Sequence, residues 1–117
     1  MKVLIVDDSK VFRSRLVELL LTNNKSNKIV EASNIVEAQE IITESSPDLL
    51  ITDIRMQGGS GFDLIDKLDG KFKKMIKVII TNYSEEQYKN KALNSGADYF
   101  FDKSHDMEKL LQLYDSI

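Results

Sequence analysis

The sequence predicts one α/β domain with a five-stranded parallel sheet and five helices packed on both of its faces. Five short apolar runs alternate along the chain with five amphipathic stretches, and repeated strand–helix units form parallel sheets covered by helices. The 117 residues suffice for one hydrophobic core, and no stretch has the composition of a linker, an internal repeat or a low-complexity segment. We therefore expect a single domain over residues 1–117.

The predicted strands are short runs rich in aliphatic and β-branched residues, the composition of strands that are buried on both faces of a parallel sheet. In chain order they are Lys2–Val6, Lys28–Ala32, Asp48–Thr52, Ile76–Thr81 and Asp98–Phe101. The single proline, Pro47, lies at a helix-to-strand junction, where it interrupts neither element.

The stretches between the strands place apolar residues at helical spacing. Helix by helix, these are Phe12, Leu16, Leu19 and Leu20; Ile35, Ala38, Ile41 and Ile42; Phe62, Leu64, Ile65 and Leu68; and, in the last helix, Met107, Leu110, Leu111 and Tyr114. Asn34 and Glu37 are placed as a capping pair for the second helix, and the third should end near Gly70. Ser84 should open the fourth helix, which Gly96 ends with a left-handed cap.

The overall composition excludes several classes of protein. An apolar share of 42% and a charged share of 30% are typical of a soluble globular protein, and the net charge of −3 disfavours a domain that binds nucleic acid. The absence of cysteine excludes disulfides and zinc–thiolate sites. Because no signal-peptide pattern and no membrane-length apolar stretch is present, we expect a cytoplasmic protein without a membrane partner.

Polar residues follow four of the five predicted strands. Asp7 and Asp8 follow the first strand, Asp53 follows the third, Thr81 ends the fourth, and Lys103 comes shortly after the fifth. Ligands of open α/β sheets bind at the carboxyl ends of the strands, where these side chains should meet. Three carboxylates at one edge repel each other unless a cation or a proton intervenes, and such oxygen ligands suit Mg²⁺. With a hydroxyl and an ammonium beside them, they indicate a phosphoryl-transfer site.

In their order and spacing these residues resemble the receiver domain of two-component response regulators, and the resemblance covers essentially the whole chain. The segments that carry it are Val6–Ser9, Asp53–Met56 with Gly61, Thr81, and Gly96–Ala97 leading to Lys103. The resemblance implies a flavodoxin-like fold with strand order 2-1-3-4-5.

The resemblance also implies a phosphoacceptor and a metal site. Asp53 would accept a phosphoryl group from a histidine of a sensor kinase or of a histidine phosphotransfer protein. Asp8 and Asp53 would coordinate Mg²⁺, for which Mn²⁺ could substitute, together with the backbone carbonyl of Arg55. Asp7 would act largely through a bound water.

A conformational switch is the third implication of the resemblance. Thr81 and Lys103 would bind the phosphoryl group, and Phe100 occupies the aromatic switch position. Phosphorylation would then change the face formed by the fourth helix, fifth strand and fifth helix, and with it the affinity for a partner. We expect that partner to be a downstream protein or an output domain missing from this sequence. A receiver domain of this kind would catalyse only its own phosphorylation and autodephosphorylation.

The chain departs from the family pattern at four positions. Gln57 and Ser104 stand where the family commonly has proline, Asn82 where it has a small residue, and Phe100 where tyrosine is commoner. Because a cis peptide before a residue other than proline costs roughly 2.5–4 kcal/mol, we expect a trans Lys103–Ser104 bond. Ser104 is also a candidate cap for the last helix.

The lifetime of the phosphorylated state is expected to depend on Arg55 and Tyr83. In the family, the residues two positions beyond the phosphoacceptor and two beyond the conserved hydroxyl flank the path of the hydrolytic water, and here these two large residues fill both positions. We therefore expect slow autodephosphorylation.

Two other functions are compatible with the same fold. The first is a constitutive interaction module that does not use phosphorylation, which the intact set of acids, hydroxyl and lysine disfavours. The second is a small Mg²⁺-dependent phosphohydrolase, which the short chain disfavours because it offers no second substrate pocket. Ser9 is predicted to be a helix N-cap rather than a nucleophile, since no paired base is evident.

Overall fold

The computed structural model describes residues 1–22, 27–68, 72–82 and 86–117. Its strands are β1 (Lys2–Val6), β2 (Lys28–Ala32), β3 (Leu49–Thr52), β4 (Arg55–Met56), β5 (Gly59–Ser60), β6 (Ile76–Thr81) and β7 (Tyr99–Asp102). Its helices are α1 (Lys10–Leu21), α2 (Ile35–Ser45), α3 (Gly61–Leu68), α4 (Glu86–Asn94) and α5 (Met107–Ser116).

Five of these strands form one parallel sheet in the order β2-β1-β3-β6-β7. Counted along the chain without the two shortest strands, this is the expected order 2-1-3-4-5. The predicted fold class is therefore confirmed. Three of the predicted strand boundaries are wrong by one residue, because β3 begins at Leu49 and β7 runs from Tyr99 to Asp102.

A small antiparallel hairpin between β3 and α3 was not predicted. In it Arg55 pairs with Ser60 and Met56 with Gly59. Gly58 has a φ of 82°, a conformation that a tight turn requires and that glycine adopts without steric cost. Strands of two residues are too short for any periodicity in the sequence to reveal them.

The sheet separates two hydrophobic clusters. Apolar residues of α2, α3 and α4 pack on one face, and those of α1 and α5 pack on the other. Successive residues of β1 alternate between the two: Leu4 and Val6 join the first cluster, whereas Val3 and Ile5 join the second. Burial on both faces explains why the strands are continuously apolar.

The helix ends agree with most of the predicted caps. The Ser9 hydroxyl accepts a hydrogen bond from the Phe12 N–H at 3.2 Å, and the Asn34 side chain accepts one from the Glu37 N–H at 2.9 Å. Gly96 has a φ of 108°, as a left-handed cap requires. The predicted boundaries at Gly70 and Ser84 lie outside the described residues. Within the described ranges, no helix has the length and apolar character needed to cross a bilayer.

Candidate functional site

The parallel register brings Asp7 and Asp53 together at the carboxyl edge of the sheet. Val6 of β1 pairs with Thr52 of β3, so the residues that follow them are neighbours. The ladder continues past both strands, since the Asp53 N–H donates to the Val6 carbonyl at 3.0 Å. Asp7 is 1% exposed and Asp53 is 8% exposed, so the structure buries two carboxylates side by side.

The Lys103 ammonium bridges the two carboxylates. Its Nζ lies 2.7 Å from Asp7 Oδ2 and 2.9 Å from Asp53 Oδ2. Buried charges are costly without a partner, and the Lys103 ammonium offsets part of the cost of burying these two carboxylates. The three residues, predicted from separate strand ends, therefore form one cluster.

Burial and pairing act on the pKa values of this cluster in opposite senses. Burial raises the pKa of the Asp7 carboxyl above its ordinary value, and the hydrogen bonds from Lys103 and from the Ser9 N–H offset this only in part. Burial would lower the pKa of the Lys103 ammonium, but its hydrogen bonds and charge interactions with Asp7 and Asp53 outweigh burial and raise it. Lys103 therefore remains charged at neutral pH.

Two further contacts hold Lys103. Its backbone N–H donates to the Thr81 carbonyl at 2.9 Å, which fixes the start of the loop against β6. Its ammonium lies 4.1 Å from the centre of the Phe12 ring, within the range of a cation–π interaction. The sequence pattern assigned Phe12 only to the core. The half-buried ring packs against the α1–α5 cluster and also contacts the charged group.

The backbone around Asp53 is held closely. Asp53 Oδ1 accepts a hydrogen bond from the Ile54 N–H at 2.6 Å, and the Asp53 carbonyl accepts one from the Thr52 hydroxyl at 3.0 Å. Gly61, the first residue of α3, approaches the same carbonyl so closely that a Cβ there would lie 2.1 Å from its oxygen. Only glycine fits at this point of contact.

Asp7, the first of the two acids after β1, is oriented by its neighbours. Asp7 Oδ1 accepts a hydrogen bond from the Ser9 N–H at 2.8 Å, and Arg13 Nη1 donates to the Asp7 carbonyl at 2.5 Å. Arg13 Nε also lies 3.1 Å from a carboxylate oxygen of Glu31 in β2. Asp8 is exposed. Sequence reasoning missed Arg13, because only the fold brings its helix turn to the Asp7 carbonyl.

An open cavity of about 680 Å³ lies over this cluster. Its lining includes five of the predicted site residues, Asp7, Asp8, Asp53, Arg55 and Lys103, together with Asn82, one of the departures from the family pattern. Thr81 is fully buried and Phe100 is half-buried against the α2–α3–α4 cluster, and neither lines the cavity. Tyr83 lies outside the described residues.

The donor set suits a hard divalent cation. Carboxylates of Asp7, Asp8 and Asp53 and the carbonyl of Arg55 are oxygen ligands of the type that Mg²⁺ prefers, and all four residues line the one cavity. Over the described part of the chain, no three or more acidic, histidine or cysteine side chains are already gathered as a metal site. The Lys103 ammonium instead takes one oxygen each of Asp7 and Asp53.

Of the two expectations about the loop after β7, one is confirmed and the other is wrong. The Lys103–Ser104 peptide bond is trans, as expected. Ser104 is not the cap of the last helix, because α5 begins at Met107 and Asp106 occupies the N-cap position. The Ser104 N–H instead donates to Asp102 Oδ1 at 2.7 Å, which holds this residue within the loop.

Comparison with known proteins identifies the family. The sequence model of the response regulator receiver domain matches residues 3–115. The chain therefore belongs to this family, whose members act in two-component signal transduction as regulators rather than as metabolic enzymes.

Individual relatives agree with this assignment. The sensory transduction protein LytT of Enterococcus faecalis is 36% identical over 97% of this chain and 46% of its own length. A two-component response regulator from Clostridium difficile has a solved structure with a TM-score of 0.88 and 29% identity, covering 99% of this chain and 93% of that one. A response regulator from Burkholderia pseudomallei, crystallised with a phosphorylated aspartic acid, a calcium ion and citrate, has the same fold, with a TM-score of 0.83 and 24% identity over 94% of this chain and 64% of that one. The chain spans about half the length of several curated relatives that it matches.

Proposed function

We propose that this chain is a phosphorylatable switch and that Asp53 is its phosphoacceptor. The phosphoryl donor would be a histidine of a sensor kinase or of a histidine phosphotransfer protein. The observation that supports this proposal most is the buried Lys103 ammonium, which bridges Asp7 and Asp53 beneath an open cavity. A constitutive interaction module has no need of a buried carboxylate pair whose cost of burial must be compensated.

The chemistry needs one bond to form and one to break. A carboxylate oxygen of Asp53 attacks phosphorus, the phosphorus–nitrogen bond of the phosphohistidine breaks, and the electron pair leaves with the histidine nitrogen. The ammonium of Lys103, already 2.9 Å from an Asp53 oxygen, is placed to neutralise the phosphoryl oxygens as they arrive.

A divalent cation would complete this charge neutralisation. Asp8, Asp53 and the backbone carbonyl of Arg55 would hold Mg²⁺, or Mn²⁺ in its place, and Asp7 would contact it through a water. When bound, the cation supplies positive charge against the transferring phosphoryl group. Its binding requires Asp53 to share its carboxylate between the cation and Lys103.

Switching would follow from the burial of Thr81. Its side chain is fully buried and does not line the cavity over Asp53, so we expect the end of β6 to move when the hydroxyl binds a phosphoryl group on Asp53. Phe100 packs beside this strand end on the α2–α3–α4 cluster and would repack with it. On the face formed by α4, β7 and α5, Tyr99 is 40% exposed and stacks on Phe101, so this repacking would reach a surface available to a downstream protein or an output domain.

Labelling with acetyl phosphate and Mg²⁺ tests the proposal. We expect the wild type to take up close to one phosphoryl group, seen as a shift on a phosphate-affinity gel, and Asp53→Ala to take up none. Asp8→Ala should lose both the label and the rise in melting temperature that saturating Mg²⁺ gives the wild type. Asp66→Ala, which removes an exposed acid of α3, is the matched control and should behave as wild type. A constitutive module takes no label, and a phosphohydrolase consumes many equivalents of acetyl phosphate.

Slow loss of the phosphoryl group is the second expectation. Arg55 is exposed and lines the cavity over Asp53, which supports a role for its side chain in limiting the approach of water. Replacing Arg55 and Tyr83 together by serine and alanine should speed autodephosphorylation about tenfold, a barrier change of about 1.4 kcal/mol. The decay of purified labelled protein measures this, and Gln57→Ala, an exposed hairpin residue outside the cavity lining, is the control. Unchanged decay in the double variant would contradict gating by these side chains.

A further inference from the structure

The carboxylate of Asp102 makes a set of contacts that the proposed transfer does not account for. Asp102 is the last residue of β7, and its Oδ1 accepts hydrogen bonds from the N–H groups of Ser104 at 2.7 Å and His105 at 3.0 Å. The Nδ1 of His105 lies 3.2 Å from the same oxygen. One oxygen thus organises the two residues that immediately follow Lys103.

Asp106 fixes Asp102 from the other end of the loop. Asp106 Oδ2 accepts a hydrogen bond from the Asp102 N–H at 2.8 Å, and the Asp106 N–H donates to the Asp102 carbonyl at 2.9 Å. With the Lys103 N–H bonded to the Thr81 carbonyl, the backbone is tied before, at and after the lysine. The backbone from which the long, flexible Lys103 side chain extends is thereby held in one position.

We propose that Asp102 is a positioning residue, whose carboxylate shapes the β7–α5 loop so that the Lys103 ammonium reaches Asp7 and Asp53. This inference rests on the proposed phosphoacceptor function. The contacts are those of a loop clamp rather than of a helix cap, because the Asp102 side chain bonds to Ser104 and His105, both of which precede α5. A lysine whose backbone is already fixed loses less conformational entropy when its ammonium binds the incoming phosphoryl group.

The test compares labelling rates over a range of acetyl phosphate concentrations. Asp102→Ala removes the acceptor and should lower the maximal rate constant about tenfold, with little change in the half-saturating concentration. Asp102→Asn keeps an oxygen at the same position and should restore a rate within about twofold of wild type. Asp98→Ala is the matched control. Asp98 lies just before β7, and its carboxylate accepts a hydrogen bond from the Lys77 N–H at 2.8 Å. Asp98→Ala therefore loses a similar hydrogen bond, but at the amino ends of the strands, away from Asp53. Asp98→Ala should lower the free energy of unfolding but leave the labelling rate constant unchanged.

A second comparison separates positioning from a general effect on the fold. If Asp102 acts through Lys103, Asp102→Ala should slow labelling no further in a Lys103→Ala background. Should Asp102→Ala not fold, Asp102→Val takes its place, since a β-branched residue suits the end of a strand. If the wild type is labelled and Asp102→Ala is labelled at the same rate, this inference alone is overturned. The same holds if Asp102→Asn and Asp102→Ala lower the labelling rate equally. A wild type that takes no label overturns the proposed function, and this inference with it.

Discussion

Replacing Lys103 by methionine is expected to lower the free energy of unfolding far more at neutral pH than at acid pH. Methionine keeps most of the side-chain volume but removes the ammonium that lies 2.7 Å from Asp7 and 2.9 Å from Asp53. Removing one partner of a buried charge cluster leaves uncompensated charge and costs about 3–5 kcal/mol. The same variant should be labelled at Asp53 far more slowly than wild type.

The pH dependence follows from Asp7. Burial already raises the pKa of its carboxyl above the ordinary 3.8, and the variant loses the opposing effect of Lys103, so the pKa rises further. A carboxyl with a raised pKa in the folded state favours folding while it is protonated, and this contribution is lost as the pH rises through the folded-state pKa. The stability difference between variant and wild type should therefore be small near about pH 4 and grow towards neutral pH.

Urea unfolding at a series of pH values measures this difference. Lys109→Met is the matched control, because Lys109 forms an exposed ion pair with Asp106 at 3.5 Å and its side chain is 69% exposed. Such surface pairs contribute about 0–1 kcal/mol. A Lys103→Met loss that is the same at every pH would show that the ammonium does not compensate Asp7.

Gly61→Ala is the second substitution with a large expected effect. The new Cβ would lie 2.1 Å from the Asp53 carbonyl oxygen, and this neighbour is backbone, which cannot rotate away. Either α3 or the phosphoacceptor strand end must shift, so we expect a loss of about 3 kcal/mol or more in the free energy of unfolding. Labelling of the folded fraction should fall as well, because the displaced carbonyl belongs to Asp53 itself.

Gly58→Ala provides the control for this prediction. Gly58 has a φ of 82°, but a Cβ there meets no atom within 4 Å, so only backbone strain of about 1–2 kcal/mol is expected. Chemical denaturation and acetyl phosphate labelling of both variants give the comparison. Equal losses of stability in the two variants, or normal labelling of Gly61→Ala, would contradict the role of this close contact.

The elements that the sequence predicts well are those whose signal is local. The continuous apolar run of β1 followed by Asp7 and Asp8 indicates a buried parallel strand that ends at a polar edge, and the structure places it so. The pairing of Asn34 with Glu37 likewise depends only on residues three positions apart.

The features that sequence reasoning missed depend on tertiary contacts. Phe12 shows the spacing of a core residue, and nothing in α1 reveals that the Lys103 ammonium lies over its ring. Ser104 has the residue type of a cap, but the nearby Asp102 carboxylate binds its N–H and holds it in the loop. The hairpin at Arg55–Ser60 is stabilised by a pairing of four residues, too few for a periodic pattern.

Because the sheet divides the core into two clusters, the packing on each face of the sheet can change separately. Phe12 and α5 belong to the cluster on one face, whereas Phe100 belongs to the cluster on the other. Only the strand backbones and the cluster of charges at their ends are common to both. Substitutions that repack α1 against α5 are therefore expected to leave the packing of α2, α3 and α4 unchanged. The core packing on the two faces of the sheet can therefore diverge separately in duplicated copies of such a domain.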